Sequence, residues 1–375
     1  MLLGDTEDEA DFRAGLRAWL RASLTGDDDP RGWAKALHEA GYAGLTWPVD
    51  FGGRGLPSGH QAIFAEECAL AGAPDHVNVI GLNMVGPTLV RYGTDEQRRT
   101  LLPRILSGEA MFCQGFSEPG AGSDLAAIRT RAVRDGEHYV VDGEKVWSSY
   151  AHLADFCLLL ARTEPGGAKH HGLSCFVLDM RARGVQTRPL RQLSGDADFN
   201  QIVLDGVVVP ASALVGAPGD GWRVAMTTLA HERGTFGITL TTRLAVQLDR
   251  LIRLASDLGA DREPAVRREV AELAVGLEGL RYTGYRALAA LERTGEPGPE
   301  ASVLKLHWSR LNQRLAAIAL DLLARHRDGP ADRDAQLRFW LRQRLRSRAN
   351  SIEGGTSEIL RGIIAERVLA LPRSR

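Results

Sequence analysis

GFSEPGAGSDLAA, residues 115–127, marks the point at which the chain changes from helical to β-type sequence. Its small residues, two hydroxyls and closely spaced backbone N–H groups allow an anionic or heteroaromatic ligand to approach. Alternatively, it is a tight loop held by side-chain hydrogen bonds. The segment lacks the third glycine and the strand–turn–helix setting of a Rossmann fingerprint. A nicotinamide-binding Rossmann domain is therefore disfavoured.

On the N-terminal side of this stretch the pattern is helical. Apolar residues recur at three- and four-residue spacing from residue 8 to residue 112, beginning with Phe12, Leu16 and Leu20. After residue 216 the helical period returns and predicts five helices: 222–258, 264–293, 300–326, 335–349 and a short one after Gly354-Gly355.

Between these helical regions the pattern is typical of short strands. Residues 139–141 and 145–147 flank Asp142-Gly143, and residues 202–204 and 207–209 flank Asp205-Gly206, so each dipeptide predicts a hairpin turn. Two apolar runs add the buried strands 156–161 and 174–180. The fold class is therefore mainly α with a central β domain. We expect an N-terminal α-helical domain over 1–112, a middle β-barrel-like domain over 113–215 and a C-terminal four-helix bundle over 216–375.

Composition excludes several function classes. The chain has 375 residues, with 46 Lys and Arg against 47 Asp and Glu, so bulk charge favours neither nucleic acid nor a membrane surface. Its four cysteines have no metal-binding spacing, and this indicates a reduced protein without a metal. The N-terminus is acidic and no apolar run is long enough to span a bilayer, so we expect a cytoplasmic protein.

Two further segments are candidates for a ligand site. In KVWSS, residues 145–149, Trp147 is either a core aromatic or a flat face beside a ring system, with Ser149 as a hydrogen-bond donor. In IEGGTSEILR, residues 352–361, Thr356 or Ser357 caps a helix. That helix either simply ends the chain or directs its N-terminus at an anion or cofactor.

Glu232 interrupts an apolar stripe. It shares one helix face with four apolar residues: Ala225, Leu229, Phe236 and Leu240. Burial would raise its pKa and make it a stronger base near neutral pH. Alternatively, Glu232 forms a structural salt bridge with Arg233 or with a residue on another helix.

Taken together these segments resemble the acyl-CoA dehydrogenase family. The resemblance covers nearly the whole chain through SEPGAGSD, KVWSS, WPVDFGGRGL (47–56), GPTLVRYGTDEQRRTLLPRILSGE (86–109), His231-Glu232-Arg233, ASVLK (301–305) and GGTSEI with AERVLALP. It implies the same order of α domain, β domain and four-helix bundle. It also implies FAD-dependent α,β-dehydrogenation of an acyl thioester in lipid metabolism, in which a glutamate removes the α-proton and hydride passes to flavin N5.

The resemblance also implies site residues and partners. Cofactor contacts fall on Gln114, Phe116, Ser117, Gly122, Ser123, Trp147, Ser148, Ser149, Thr356 and Glu358. Ser123 and Arg233 are implied on the substrate side. The expected partners are an acyl-CoA or acyl-carrier thioester, an electron-transfer flavoprotein and further subunits of a homo- or hetero-oligomer, either a dimer or a tetramer.

The position of the catalytic base departs from the commonest family pattern. Many members carry the base directly before the glycine of the C-terminal motif, where this chain has Gly354. A second group carries it on the bundle helix before the matched arginine, and that residue here is Glu232. Glu353, one position out of register, is the remaining alternative.

Two segments that hold a neighbouring subunit's FAD in many family members are also changed. The corresponding stretches here read ADREPAVRREVAEL (260–273) and LLARHRDGP (322–330). We therefore expect either altered flavin contacts or a partner subunit that completes the pocket. A non-catalytic or FAD-sharing subunit of a heteromeric dehydrogenase and a flavin monooxygenase or oxidase remain alternative functions.

Overall fold

The computed structural model describes residues 4–24, 29–164, 169–294, 298–326 and 332–372, and within these it leaves out the side chains of residues 232–236, 291, 292 and 294. The chain divides into two compact units. The bundle unit contains Met1–Leu24, Pro57–Ala73 and Arg233–Arg375, and the sheet unit contains Thr25–Leu56 and Pro74–Glu232. The boundary between them falls inside one long helix.

One eight-stranded sheet organises the sheet unit. The strands are β1 (Phe112–Gly115), β2 (Arg131–Asp135), β3 (His138–Ser149), β4 (Phe156–Arg162), β5 (Leu173–Asp179), β6 (Val185–Leu190), β7 (Phe199–Pro210) and β8 (Leu214–Val215). Their order is β6-β7-β3-β2-β4-β5-β8, and β1 pairs with β4 in parallel. Strand β4 is buried on both faces, because Leu158 and Leu160 join one apolar cluster while Cys157 and Leu159 join another. The predicted buried strands at 156–161 and 174–180 are confirmed.

The two predicted hairpins are wrong. β3 and β7 are continuous twelve-residue strands that pair with each other, and both Asp-Gly dipeptides lie within them. Asp205 and Gly206 form a bulge opposite Asp142, whose Oδ1 accepts a hydrogen bond of 2.8 Å from Gly206 N. Gly206 has a φ of +56°, so its left-handed backbone is used in a bulge and not in a chain reversal.

The sheet unit also contains helices. They are α2 (Pro30–Glu39), α4 (Gly86–Tyr92), α5 (Asp95–Leu106) and the first part of α6 (Gly221–Asp257). A π-helical turn, Gly81–Val85, leads directly into α4. Leu89 and Leu102 are fully buried in the same cluster as Leu158. The start of α6 is joined to α4 by hydroxyl pairs, Thr88 with Thr228 and Tyr92 with Thr227.

The bundle unit is helical in its described residues. It contains α1 (Glu7–Ser23), α3 (Ser58–Ala71), the second part of α6, α7 (Pro264–Thr294), α8 (Glu300–Arg325), α9 (Arg333–Arg346) and α10 (Ser357–Arg367). Its core contains Leu251, Leu315 and Trp340, each fully or almost fully buried. α1 is joined to α3 by ion pairs from Arg13 to Glu66 and Glu67.

The predicted fold class is confirmed, since 57% of the described residues are helical and a sheet domain lies at the centre of the chain. The five helices predicted after residue 216 correspond to α6–α10. The three consecutive domain ranges stay a prediction. Among the residues that the structure describes, no helix combines the length and apolar character needed to cross a membrane.

Candidate active site

The end of β1 and the loop that follows it contain the first group of candidate cofactor contacts. Gln114 is half-buried in β1, and the Phe116 ring lies in the apolar core, so only the backbone of Phe116 can face a ligand. Ser117 is half-buried, whereas Gly122 and Ser123 are exposed. The loop closes on itself through paired backbone hydrogen bonds between Glu118 and Ala121.

A buried ion pair lies beneath this loop. Lys145 Nζ on β3 donates to Glu118 Oε1 at 2.8 Å and to the Phe116 carbonyl oxygen at 3.1 Å. The Lys145 side chain is fully buried, and that of Glu118 is 8% exposed. Burial alone would raise the pKa of Glu118, but the charge of Lys145 and the hydrogen bonds to the carboxylate lower it overall. The carboxylate therefore stays ionised.

The paired strands β3 and β7 have a second bulge next to this ion pair, and here the extra residue lies on β3. Val146 and Trp147 together lie opposite Gln201, and Trp147 adopts a left-handed φ of +62°. A left-handed backbone costs a non-glycine residue of order 1 kcal/mol or more, and such strain clusters at functional sites. Trp147 is 60% exposed, so the prediction of a core aromatic is wrong. The indole instead presents a flat aromatic face.

The two serines after Trp147 differ in environment. Ser149 is half-buried, whereas Ser148 is 1% exposed and its hydroxyl has no hydrogen-bond partner among the described residues. The Ser148 carbonyl oxygen accepts a hydrogen bond of 3.3 Å from Asn200 Nδ2. Asn200 also contacts His152 Nδ1 at 3.0 Å. Asn200, which holds the bulge from β7, was not singled out from the sequence.

The C-terminal candidates lie in the bundle unit. Thr356 is the N-cap of α10, where its hydroxyl accepts from Ile359 N, so Thr356 and not Ser357 caps the helix. Glu358 is exposed, and hydrogen bonds from its own backbone N–H and from Thr356 lower its pKa. Lys305 Nζ on α8 donates to the Gly355 carbonyl oxygen at 2.8 Å and so holds the preceding turn.

Glu232 and Arg233 belong to α6, but their side chains lie outside the described ones. The alternative base, Glu353, is described and is already engaged. Its oxygens accept two hydrogen bonds from Arg346, at 3.2 and 3.0 Å, and one of 2.6 Å from Asn350. A carboxylate held by three donors is poorly placed to receive a substrate proton.

The sequence did not reveal the partners that hold the candidate residues. Lys145 lies in a predicted strand and is one of just four lysines in the chain, and this is the signal that could have identified it. Arg346 and Asn350 had no comparable signal. Within the described residues no cluster of His, Cys, Asp and Glu side chains could hold a metal ion.

The chain matches a known enzyme family along nearly all of its length. Residues 6–109, 113–207 and 219–369 match the N-terminal, middle and C-terminal domains of acyl-CoA dehydrogenases. The chain is 42% identical to acyl-CoA dehydrogenase IpdE1 of Mycobacterium tuberculosis, over 98% of this chain and 99% of that protein.

Two solved structures share the fold over the full length of both chains. The Tcur3481–Tcur3483 steroid ACAD is 32% identical with a TM-score of 0.89. The ChsE4–ChsE5 complex from Mycobacterium tuberculosis is 30% identical with a TM-score of 0.86. From these matches, and from the order of the three domains in the sequence, the chain belongs to the acyl-CoA dehydrogenase family of enzymes.

Proposed function

We propose that this enzyme carries out FAD-dependent α,β-dehydrogenation of an acyl-CoA thioester. The observation that carries the proposal is the junction of the loop 117–124 with the Trp147 bulge. Val146 N donates to the Ser117 carbonyl oxygen at 2.9 Å, so the loop and the exposed indole are parts of one hydrogen-bonded assembly. An exposed aromatic face beside small residues, hydroxyls and backbone amides fits a flavin ring and its polar edge.

FAD supplies the hydride acceptor for this reaction when bound. Ser117, Trp147 and Ser149 are the residues of the sheet unit that would hold its ring system. Gly122 and Ser123 would add cofactor contacts, and Ser123 would also face the thioester. By the family resemblance, Thr356 and Glu358, at the start of α10, are further proposed cofactor contacts. Gln114, the Phe116 backbone and Ser148 would complete the sheet-unit contacts, and Arg233 would lie on the substrate side.

Glu232 is the proposed base that removes the α-proton. The stripe on which it lies is apolar in the described residues, because Ala225 is fully buried and Leu229 packs against the core of the sheet unit. An acid among apolar side chains is a stronger base than an exposed one. The engagement of Glu353 by Arg346 and Asn350 supports the choice of Glu232.

For the acyl group we propose a steroid-derived thioester. The support is the steroid ACAD, 32% identical over the whole chain. A thioester with a fused-ring acyl group should therefore reduce the flavin faster than a straight-chain thioester of similar length.

Anaerobic flavin bleaching tests the reaction and the base together. With a reactive acyl-CoA, E232Q should lower the rate of flavin reduction by about 10²–10⁴-fold, the usual contribution of a general base. E353Q is the matched control, with the same change at the neighbouring candidate, and should retain most of the rate. Unchanged bleaching in E232Q would remove Glu232 as the base.

The second candidate function is a FAD-sharing or non-catalytic subunit. It is favoured by the altered FAD-holding segments and by the two-component complex ChsE4–ChsE5 among the structural neighbours. Absence of flavin reduction with every acyl-CoA, in protein that does bind FAD, would support this candidate over the first.

A further inference from the structure

Two carboxylates of the loop 117–124 are each bound by a lysine. Glu118 pairs with Lys145, and both side chains are buried. Asp124 pairs with Lys169 at 2.8 Å, but these side chains are 58% and 66% exposed. The chain has only four lysines, and two of them form ion pairs with this one loop.

We propose that Lys145 and Glu118 are positioning residues: their buried ion pair holds the loop 117–124 against the Trp147 bulge in the geometry that receives the flavin. This inference rests on the proposed function, because the positioned groups are the proposed flavin contacts. Neither side chain is assigned a contact with substrate or cofactor.

The ion pair joins three segments that are distant in sequence. Lys145 Nζ is bonded to the Phe116 carbonyl oxygen, where β1 ends, and to Glu118 within the loop. The Glu118 carboxylate also accepts from Arg129 N at 2.7 Å and from Thr130 N at 2.8 Å, directly before β2. The start of the loop, the residues before β2 and the Lys145 side chain from β3 therefore meet at one carboxylate.

The residue after Lys145 on β3 connects the ion pair to the exposed ring of Trp147. Val146 follows Lys145, donates to the Ser117 carbonyl oxygen, and begins the bulge that exposes Trp147. A displacement of Lys145 would therefore move Ser117 and Trp147 together. Since catalytic geometry tolerates only fractions of an ångström, a fixed junction of this kind matters for cofactor binding.

Burial makes the ion pair sensitive to the loss of either partner. Burial lowers the pKa of Lys145, and the facing carboxylate opposes that shift. If one partner is removed, the other remains as an uncompensated buried charge, whereas removing both leaves none. By contrast, an exposed pair such as Lys169 and Asp124 contributes little in water.

The experiment compares K145M, E118Q, the double variant K145M/E118Q and the control K169M, which makes the same substitution at the exposed pair. Hydrogen exchange of the backbone amides of residues 116–123 is measured in each folded protein before FAD is added. FAD affinity is then measured by flavin fluorescence quenching.

We expect K145M to speed loop exchange and to weaken FAD binding by about tenfold or more, with partial recovery in the double variant. K169M should stay within about threefold of wild type. E118Q keeps the side-chain size, and it tests the positioning role of the ion pair if K145M does not fold. A structural pair without a positioning role would lower the unfolding temperature while leaving loop exchange and FAD affinity like those of K169M, and this result would overturn the proposal.

Failure of the proposed function gives a different result. If wild-type protein takes up no FAD, either alone or together with a second acyl-CoA dehydrogenase chain, the flavin assignment fails, while the exchange comparison still tests whether the ion pair holds the loop. If wild type binds FAD and both K145M and E118Q bind it as tightly as K169M does, only the positioning role is lost.

Discussion

A single histidine gives the sheet unit a defined pH response. His76 Nδ1 accepts a hydrogen bond of 3.0 Å from Asn78 N, and its Nε2 is buried without a partner among the described residues. Burial, followed by the nearby His38, lowers the pKa of His76 to about 4. Protonation would convert the Nδ1 acceptor into a donor that faces another N–H group.

The sign of the effect follows from proton linkage. The unfolded chain has a histidine pKa near 6.5, so between about pH 6.5 and 4 it binds more protons than the folded protein does, and stability falls as the pH is lowered through this window. At pH 5.5 the free energy of unfolding should be lower than at pH 8 by about 1.4 kcal/mol because of His76.

H76N removes the titration while keeping an oxygen that can accept from the backbone N–H two residues on. Urea unfolding at pH 8 and pH 5.5 should show a smaller pH-dependent loss in H76N than in wild type. An equal loss in both proteins would mean that His76 does not contribute.

At the scale of elements, the sequence pattern predicted the type of each region correctly, but the prediction of two hairpin turns was wrong. Asp-Gly favours a two-residue turn, and both Asp142-Gly143 and Asp205-Gly206 were interpreted in that way. In the structure Asp142 lies opposite Asp205 and Gly206, so β7 bulges at this place and neither segment reverses direction. Local pattern cannot separate these outcomes, because the choice depends on the partner strand some 60 residues away.

Replacing a glycine in a helix by alanine should stabilise or destabilise the protein, depending on what surrounds the glycine. At Gly86, the first residue of α4, an added Cβ would overlap the six-membered ring of Trp47, which is 4% exposed. At Gly15 in α1 an added Cβ would meet nothing within 4 Å. We expect G86A to destabilise by about 1–3 kcal/mol and G15A to stabilise by about 0.5–1 kcal/mol.

Urea midpoints of the two variants give the comparison directly. The double variant G86A/W47F should be less destabilised than the sum of its single changes, because the shorter ring of phenylalanine relieves the overlap. Additive changes, or similar midpoints for G86A and G15A, would contradict the packing argument.

At the scale of the whole molecule, the order of helical, β and helical regions was predicted, while the grouping of helices was not. α1 and α3 belong to the bundle unit although they come first in the chain. Their ion pairs, from Arg13 and Arg17 to Glu67, connect residues about 50 positions apart. Helical periodicity shows that a face is apolar or charged, but not which distant helix covers it.

Several apolar side chains remain exposed on the bundle unit. Val275 and Tyr282 lie two turns apart on one face of α7 and are 74% and 47% exposed, while Leu337 and Leu341 on α9 are 41% and 46% exposed. Exposed apolar faces of this kind favour association with another subunit. The altered FAD-holding segments at 260–273 and 322–330 favour a partner that differs from this chain.

We therefore predict that the chain purified alone binds FAD substoichiometrically, and that a second acyl-CoA dehydrogenase chain raises the occupancy. The expectation follows from the loss of both segments by which many family members hold a neighbour's FAD, since two copies of this chain would lack them equally. Native mass spectrometry reports the subunit composition and the number of bound flavins in one measurement. V275E should weaken the association through desolvation of a buried charge at the interface, whereas V133E, on the exposed residue of β2 in the sheet unit, serves as its control. One FAD per subunit in a homodimer or homotetramer of this chain alone would show that its own residues complete the flavin site.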